Sequence, residues 1–517
     1  MTRVWITISV VAALIVAFVL FFVYVPTGQV IVLETKDGAR PLEQGLHIKP
    51  LWIKASAYPT EPARKLLEFN TTTPYGDVHC KVKITLSVRK EKILELHYAY
   101  HGDYLPKLVS PLLSSYLGKN ISGDLVASPT DEGKRSLARE SQAYLSDALK
   151  DTGIEIASIE IAKIQLLRSP EDEQIAKAAR RVGGKVVIIG VDAFDWQIYR
   201  QVSAKVHLPN IERIIKQGAT GNLMSLEPPV SPMIWTTMAT GVEPEVHGII
   251  DFLAKDPATG EEVPITSSMR KVPALWNIAT RFGLSAGFVG WLGTFPSEPV
   301  NGFIVSDRIV YHSFDPRWRR GEANESSPQE TEGLTFPDSL IEEIKTLIVA
   351  YEDVPLRLLR QFIDVTPEEV KAHSDKFDPL NPITNLKHIL ASNLTYEHIA
   401  SYTYEKYHPN IFAVYLDLVD NVCHLFIKHM PPHTPDVSDE DARKYGDAVS
   451  AAYAHTDSLI GYWLNLIDDQ TTLVVVSDHG FKSGELRPRG SSVVGGGQAV
   501  KWHRLVGAIM FYGNHVK

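Results

Sequence analysis

The chain has 517 residues, of which 44% are hydrophobic and 22% are charged, and its formal net charge is −9. This composition is typical of folded globular proteins and excludes a wholly disordered chain, while the length predicts more than one domain. The net negative charge argues against a protein that coats nucleic acid, because that function requires a basic face. Only two cysteines occur, Cys80 and Cys423. They are too few for a disulfide scaffold and are predicted to be buried free thiols.

The N-terminal segment, residues 4–25, contains no charge and no proline. About 20 apolar residues span the hydrocarbon core of a bilayer, so this segment predicts a single transmembrane helix. A cleaved signal peptide is the alternative, but its apolar region is normally only about 7–15 residues long and ends in small residues. Arg3 precedes the segment, whereas the next basic residue beyond it is Lys36. The positive-inside rule therefore predicts a cytoplasmic N-terminus, with the bulk of the chain extracytoplasmic.

Residues 26–182 predict an α+β domain. Apolar and polar residues alternate in some segments, which is typical of half-buried strands, and recur near helical spacing in others. The predicted strands cover residues 29–34, 45–50, 78–89 and 153–161, and the predicted helices cover residues 130–150 and begin again at Ser169.

Four short motifs occur in order along this domain: Val25-Pro-Thr-Gly28, Gly45-Leu-His47, Asp151-Thr-Gly-Ile154 and Leu167-Arg-Ser-Pro170. Together with the apolar segment before them, they resemble the stomatin/prohibitin (Band 7, SPFH) family. The resemblance implies membrane association and a homo-oligomer formed through this domain. The long coiled coil that usually follows in the family is missing here, which argues against a ring or cage.

Val182-Gly-Gly184 predicts a hinge, because glycine pairs free the backbone and mark domain boundaries. In the domain that follows, residues 184–517, continuous apolar runs alternate with helical segments. Such runs suit strands buried on both faces, so the pattern predicts a mostly parallel sheet with helices on both sides. The runs are Val186–Val191, Gly287–Gly290, Phe412–Leu416 and Leu473–Val476.

Three of these runs lead into acidic residues, and two of the three also have a histidine nearby. Because ligands bind outside the carboxyl ends of strands in open α/β sheets, these side chains are expected to converge on one site. A single such aspartate would more simply cap a turn or helix. Oxygen and imidazole ligands without thiolates suit catalytic zinc, with manganese or iron as alternatives. The candidate ligands are Asp192, Asp420, His424, Asp478, His479 and, near the C-terminus, His503.

Ser231 followed by Pro232 predicts the start of a helix, with the serine as N-cap and the proline at the first helical position. A hydroxyl at a helix N-terminus lies among free backbone N–H groups, which hold phosphate and favour an alkoxide. With a divalent ion alongside, Ser231 is a candidate nucleophile. A cap alone also explains the pair.

A second set of motifs runs along residues 184–517: Gly190-Val-Asp192, Pro229-Val-Ser231-Pro, Thr240-Gly241, His247-Gly-Ile249, Asp420-x-x-x-His424, Ser477-Asp-His-Gly480 and His503. These motifs resemble the alkaline phosphatase superfamily, specifically its type I phosphodiesterase/nucleotide pyrophosphatase branch. The resemblance implies two zinc ions, or manganese or another divalent ion, and a phosphoseryl intermediate that water hydrolyses. It assigns one ion to Asp192, Ser231, Asp478 and His479, and the other to Asp420, His424 and His503.

The substrate pocket departs from the family pattern. Many diesterases of this branch carry an asparagine shortly after the His-Gly-Ile motif, where this chain has Asp251, so monoester and diester substrates both stay open. Lys271 and Arg308 are further candidates for contact with substrate phosphate, although a solvated or salt-bridging role is the simpler interpretation. Residues 251–310 are expected to form a cap over the site. The chain ends fourteen residues beyond His503, which is shorter than expected for a complete last strand and helix.

The leading hypothesis is a membrane-anchored, metal-dependent phosphohydrolase that acts on phosphate esters and binds no nucleic acid. A membrane scaffold with an inactive hydrolase domain is the main alternative, although the complete ligand set argues against it. A sulfatase is disfavoured, because the residues after Ser231 lack the proline and arginine spacing of that group. A mutase or phosphotransferase of the same superfamily stays open.

Overall fold

The computed structural model describes residues 22–50, 52–73, 76–122, 125–126, 129–167, 172–175, 177–178, 183–255, 260–310, 332–372, 381–488, 490 and 499–516. These residues divide into two compact units, with the division between Ser169 and Pro170. The sequence pattern puts the boundary slightly later, at residues 182–184.

The first unit begins with short antiparallel strands, as its alternating pattern predicts. Strand β1 (Phe22–Val25) pairs with β4 (Gly45–Ile48). Strand β2 (Gln29–Thr35) lies between β3 (Gly38–Leu42) and β5 (Lys54–Pro59). The predicted strands at residues 29–34 and 45–50 are therefore confirmed.

A second antiparallel sheet in this unit has the order β6-β7-β8 among the described residues. Its strands are β6 (Ala63–Thr73), β7 (Gly76–Val88) and β8 (Ile154–Leu166). Every second side chain of β7 is buried, which confirms the period-two prediction. One of these is Cys80, a buried free thiol whose pKa is raised to about 11 by burial.

Three helices pack against these strands: α1 (Ile93–Tyr100), α2 (Ser110–Asn120) and α3 (Asp131–Ala148). A π-helical turn at Leu105–Val109 leads into α2. Helix α3 confirms the prediction for residues 130–150. The Thr130 side chain caps it by accepting a hydrogen bond from the Gly133 N–H at 3.1 Å.

The predicted membrane anchor, residues 4–25, lies outside the described residues except for its last four. Those four form β1, whose residue Val25 pairs with Gly45, so the helix cannot extend to Val25 as the apolar pattern suggests. Among the described residues, no helix is both long enough and apolar enough to cross a bilayer. The predicted helix start at Ser169 also lies outside the described residues.

The second unit is an α/β domain around a mixed sheet, in which the described strands have the order β10-β20-β17-β9-β16-β13-β14-β15. The five neighbours from β17 to β14 are mutually parallel, whereas β20 and β15 are antiparallel to the strands they flank. This arrangement confirms the predicted, mostly parallel sheet. The strands are β9 (Lys185–Val191), β10 (Ala219–Met224), β13 (Ala286–Val289), β14 (Gly302–Val305), β15 (Thr335–Phe336), β16 (Ile411–Leu416), β17 (Thr471–Val476) and β20 (Val506–Tyr512).

Helices cover both faces of this sheet. Alternate residues of β16 belong to different apolar clusters: Phe412 packs with residues of long helices on one side, and Tyr415 packs with Trp235 and Trp276 on the other. Among its described residues, the unit has the helices α4 (Trp196–Ser203), α5 (Pro209–Gln217), α6 (Ser231–Thr240), α7 (Pro244–His247), α8 (Leu275–Arg281), α9 (Leu340–Ile344), α10 (Leu356–Phe362), α11 (Pro367–Ala372), α12 (Pro382–Tyr407), α13 (Leu418–Phe426), α14 (Asp439–Tyr445) and α15 (Ala448–Leu466), besides the helical residues 172–175. Cys423 is a buried free thiol of α13, as predicted.

The expectation that residues 251–310 form a cap over the site is largely wrong. This stretch supplies β13 and β14 to the central sheet, and α8 contacts β13. The reason is the apolar run at Gly287–Gly290, which is a buried strand pattern and therefore belongs inside the fold. The same stretch also contains a separate hairpin of β11 (Leu253–Lys255) and β12 (Glu262–Pro264).

Candidate functional site

Three adjacent parallel strands bring the acidic residues to one edge of the sheet. Strand β9 lies between β16 and β17, and Val191 is in register with Leu416. Asp192 follows β9 directly, Asp478 comes two residues after β17, and Asp420 lies in the first turn of α13, which follows β16. The predicted convergence at the carboxyl ends of these strands is therefore confirmed as geometry.

Asp192, Asp478 and His479 form a first cluster, in which every side chain is almost fully buried. His479 Nε2 lies 3.4 Å from Asp192 Oδ1 and 3.3 Å from Asp478 Oδ2. The Gly480 carbonyl oxygen, 3.2 Å from His479 Nδ1, orients the His479 ring on the side away from the carboxylates. A proton on Nδ1 leaves the Nε2 lone pair facing the two carboxylates.

The second oxygen of each carboxylate is held by a donor on the other side. The Tyr415 hydroxyl donates to Asp192 Oδ2 at 2.7 Å, and Trp235 Nε1–H donates to the same oxygen at 3.4 Å. The Ala193 N–H donates to Asp478 Oδ1 at 3.3 Å. Asp192 Oδ1 and Asp478 Oδ2 are buried and have no hydrogen-bond partner among the described residues. Each carboxylate thus presents one oxygen to the pocket.

Asp420, His424 and His503 form a second cluster. Asp420 and His424 are one turn apart on α13, and His503 lies on a short strand, β19 (His503–Arg504), paired with β18 (Gly480–Phe481). Asp420 Oδ1 lies 3.4 Å from His424 Nε2 and 3.5 Å from His503 Nε2, and the two Nε2 atoms are 2.9 Å apart. His503 Nδ1 lies 2.9 Å from the Pro229 carbonyl oxygen, which turns Nε2 toward the cluster.

The two clusters are contiguous rather than separate. The His479 and His503 rings stack with their centroids 3.7 Å apart, and Asp420, His479 and His503 also place ligand atoms within 4.8 Å of one another. His479 therefore borders both clusters, whereas the family resemblance assigns it to the first alone.

Burial dominates the electrostatics of this pocket. Burial raises the pKa of Asp192, and the Asp420 charge raises it further. Burial and the Asp192 charge raise the pKa of Asp478 well above its usual value. Burial alone would also raise the pKa of Asp420, but His424 and the other imidazoles hold it below its usual value. Three carboxylates this close in a buried pocket require positive charge to ionise together.

The residues present fit divalent metal ions. They offer inward-facing carboxylate oxygens, of which Asp192 Oδ1, Asp420 Oδ1 and Asp478 Oδ2 are buried without a hydrogen-bond partner among the described residues. They also offer three imidazole Nε2 atoms and no thiolate. This donor set is that of catalytic zinc sites, and the donors behind each ligand are the supporting shell that such sites require.

Ser231 lies at the same pocket but in a different helical position from the one predicted. Helix α6 begins at Ser231 itself, Val230 is the N-cap residue, and the cap makes no side-chain hydrogen bond. The prediction of an N-cap serine is therefore wrong by one residue, because Val230 already has the extended backbone of a cap. The Ser231 hydroxyl lies 3.3 Å from His479 Nε2.

The three predicted substrate contacts, Asp251, Lys271 and Arg308, lie outside the two clusters of carboxylates and imidazoles. Asp251 is exposed, and Lys271 is exposed with its backbone N–H donating to the His247 carbonyl at 3.0 Å. The Arg308 guanidinium donates to a main-chain carbonyl at 2.8 Å and lies 4.4 Å from the Phe295 ring centroid. Both contacts hold the Arg308 side chain against neighbouring parts of the fold, whereas the simpler interpretation from the sequence is a solvated or salt-bridging role.

Sequence reasoning missed two residues that orient the pocket, Trp235 and Tyr415. Trp235 lies four residues after Ser231, on the same face of α6, so helical spacing was a signal that could have found it. Tyr415 is one of six residues in an apolar strand run, and nothing in the sequence distinguishes its hydroxyl from a buried aromatic filler.

Comparisons with known proteins extend this picture. Residues 186–493 match the family model described as type I phosphodiesterase/nucleotide pyrophosphatase. No curated protein matches the chain. Among solved structures, phosphonoacetate hydrolase from Sinorhizobium meliloti 1021 in complex with phosphonoacetate is 17% identical, with a TM-score of 0.33, and the match covers 58% of this chain and 57% of that chain. Murine ectonucleotide pyrophosphatase/phosphodiesterase 5 is 16% identical, with a TM-score of 0.30, and the match covers 59% of this chain and 58% of that chain. The chain thus spans less than two thirds of either structure.

Proposed function

This chain belongs to the type I phosphodiesterase/nucleotide pyrophosphatase family. From this premise we propose that it is a hydrolase that cleaves phosphate mono- or diesters through a phosphoserine formed on Ser231. The observation that carries the proposal is the position of the Ser231 hydroxyl. The hydroxyl lies 3.3 Å from His479 Nε2, beside a buried cluster of carboxylates and imidazoles.

The proposed ligands of two divalent ions are the residues that converge in this pocket. The family is metal-dependent, and we propose zinc, with manganese as the alternative. When bound, such ions lower the pKa of a coordinated hydroxyl or water and stabilise charge on the attacking and leaving oxygens. One ion would be held by Asp192, Ser231, Asp478 and His479, and the other by Asp420, His424 and His503.

The protein's own contribution is positioning. The Tyr415 hydroxyl and the Trp235 N–H fix the Asp192 carboxylate, and the Pro229 carbonyl fixes the His503 ring. The N-terminal end of α6 adds the positive end of its dipole at the place where the phosphate is negatively charged. Phosphoryl transfer depends mainly on such positioning and charge, because the protein has little covalent work to do.

The proposed reaction has two balanced steps. As Ser231 Oγ loses its proton and forms a bond to phosphorus, the bond from phosphorus to the ester oxygen breaks on the opposite side. The ester oxygen leaves as an alcohol, which in the net balance carries the proton that the serine lost. Water then attacks phosphorus and the bond to Ser231 Oγ breaks. One proton of the water restores the serine hydroxyl, and the remaining hydroxyl group stays on phosphorus in the phosphate product. Lys271 and Arg308 remain the proposed contacts for the substrate phosphate, and Asp251 remains a proposed substrate-binding residue. The test also measures the preference for a monoester or a diester.

The test compares the full chain with its Ser231→Ala variant on an aryl phosphate monoester and a bis-aryl phosphodiester, with added zinc and after chelation. We expect a loss of turnover of about 10³-fold or more in the variant and a comparable loss on chelation, because nucleophile and ions act as one unit. Ser438→Ala is the matched control, since Ser438 also lies at a helix start but caps α14 on the surface. Turnover that survives in Ser231→Ala would remove the covalent mechanism.

We further propose that the apolar segment before β1, residues 4–21, anchors the chain in a membrane with a cytoplasmic N-terminus. We also propose that residues 26–182 form a Band 7-like domain that assembles into a homo-oligomer. The uncharged apolar composition of the first segment and the order of the Band 7 motifs support this part of the proposal. Carbonate extraction of membranes that contain the full chain tests it. Release of the chain into the supernatant would contradict the anchor.

A further inference from the structure

Two histidines and a glutamate meet in the first unit, in a place that phosphoester hydrolysis does not use. His97 lies in the last turn of α1, and His101 is the residue that ends this helix, one turn further on. Glu34 reaches them from β2. A spacing of four residues puts the two imidazoles on one side of the helix, so that both face the same carboxylate.

The three side chains are spaced like ligands rather than like hydrogen-bonded partners. Glu34 Oε1 lies 3.4 Å from His97 Nε2 and 3.5 Å from His101 Nδ1, and all three atoms lie within 4.8 Å of one another. Ligand atoms at tetrahedral positions around zinc, each about 2.1 Å from the ion, are about 3.4 Å apart. The observed distances match this separation and exceed that of a good hydrogen bond.

His97 supplies an independent sign of a missing partner. Its side chain is only 1% exposed, and its Nε2 is buried without a hydrogen-bond partner among the described residues, as is Glu34 Oε1. The other ring nitrogen, Nδ1, lies 2.8 Å from the Tyr58 hydroxyl, and this hydrogen bond holds Nε2 toward Glu34. Native proteins seldom leave buried polar atoms of this kind without a partner.

We propose that Glu34, His97 and His101 bind a divalent transition-metal ion of the zinc class, in a site that joins β2 to the end of α1. Two imidazoles and a carboxylate are ligands that zinc prefers, and the exposed edge of His101 leaves room for water at a fourth position. Binding selects the His97 tautomer whose proton is on Nδ1, and this proton is then donated to Tyr58 Oη. Burial lowers the pKa of His97 and so favours the neutral imidazole that a metal requires.

The experiment counts zinc per chain in the full-length protein after equilibrium dialysis against buffered free Zn²⁺. The test variants are His101→Asn and Glu34→Gln. Asparagine tolerates the left-handed backbone of His101 (φ 49°), and glutamine keeps the shape of Glu34. His408→Asn is the matched control, because His408 also ends a helix with a left-handed backbone (φ 43°) but lies on α12 of the second unit. Far-UV circular dichroism confirms folding.

We expect wild type and His408→Asn to hold one more zinc ion per chain than either test variant. Equal zinc in all four proteins overturns the proposal, and it then favours an ion pair of Glu34 with protonated histidine. An added Asp420→Asn change separates this site from the hydrolase pocket, because it weakens only the pocket. The double variant Asp420→Asn/His101→Asn is expected to hold one zinc ion fewer than Asp420→Asn alone. This difference is expected even if the hydrolase proposal fails.

Discussion

At the level of single residues, hydrogen bonds from neighbouring groups orient the candidate metal ligands in the pocket. The Asp192 carboxylate presents Oδ1 to the pocket because Oδ2 accepts hydrogen bonds from Tyr415 and Trp235. Asp478 likewise presents Oδ2, because its Oδ1 accepts a hydrogen bond from the Ala193 N–H. Buried carboxylates without such donors would rotate or bind a proton instead. The supporting donors are therefore expected to matter almost as much as the ligands.

Tyr415→Phe tests this directly, because it removes one 2.7 Å hydrogen bond to Asp192 and leaves the ring in place. We expect metal affinity or turnover to fall by about 10–100-fold, with the fold retained. A zinc titration of turnover measures the change. Tyr396→Phe is the control, since its buried hydroxyl donates to the Asp307 carbonyl and faces no ligand. Equal zinc dependence of the two variants would show that Tyr415 does not position Asp192.

His429 is a buried imidazole whose charge state affects folding. Burial and the nearby Lys428 lower its pKa from 6.5 to about 4. Between pH 6.5 and pH 4 the unfolded chain binds a proton at His429 that the folded chain does not bind. The free energy of unfolding is therefore unaffected by the titration of His429 above pH 6.5 and decreases as the pH falls toward 4. We expect urea unfolding to show a loss on the order of 2 kcal/mol over this range.

His429→Gln should remove that part of the pH dependence, whereas His398→Gln, at an exposed position on α12, should keep it. If wild type and His429→Gln lose stability in parallel on acidification, His429 is not the group responsible.

At the scale of elements, the apolar runs predicted β9, β16 and β17 and the convergence of their acidic ends. The periodicity succeeds there because strands buried on both faces have few alternatives. The expectation of a cap at residues 251–310 fails instead. Motif interpretation assigned to a cap a stretch that contains strands β13 and β14, although the apolar run at Gly287–Gly290 already indicated a buried strand. The helix start at Ser231 was missed by one residue, because a serine–proline pair fits both the N-cap and the first turn.

The short β18–β19 ladder contains His503 and follows His479 directly. Its first residue, Gly480, has no room for a side chain. A Cβ at Gly480 would overlap the Asp195 carboxylate and the Val506 carbonyl oxygen. Neither group can move far, because the Asp195 side chain is fully buried and Val506 is held in strand β20 of the central sheet. We expect Gly480→Ala to lower the free energy of unfolding by about 2–3 kcal/mol and to reduce zinc binding.

Gly221→Ala on β10 is the matched control for Gly480, since its Cβ would lie 3.8 Å from Ile509, an ordinary contact. Denaturant unfolding of both variants measures the difference. A Gly480→Ala protein as stable as Gly221→Ala would refute the steric argument.

At the scale of the whole molecule, the sequence motifs predicted the family of residues 186–493 and its α/β architecture, and both are shown. The division between units falls at Ser169, before the glycine pair that predicted it, because the last strand of the first unit ends at Leu166. The sequence analysis did not find the Glu34, His97 and His101 cluster. His97 and His101 are four residues apart, the same spacing as Asp420 and His424, but Glu34 comes from β2, and nothing in the sequence links that strand to the end of α1. The membrane anchor and the Band 7-like assembly stay predictions.

The central claim is that the hydrolase works through a covalent phosphoserine, and trapping this species tests it most directly. The full chain is mixed with a phosphate ester, quenched in acid within one turnover, digested and examined by mass spectrometry. We expect phosphate on the peptide that contains Ser231. It should be absent when Ser231 is alanine and present in the Ser438→Ala control. Product formed in the same reaction with no phosphate on Ser231 at any quench time would contradict it.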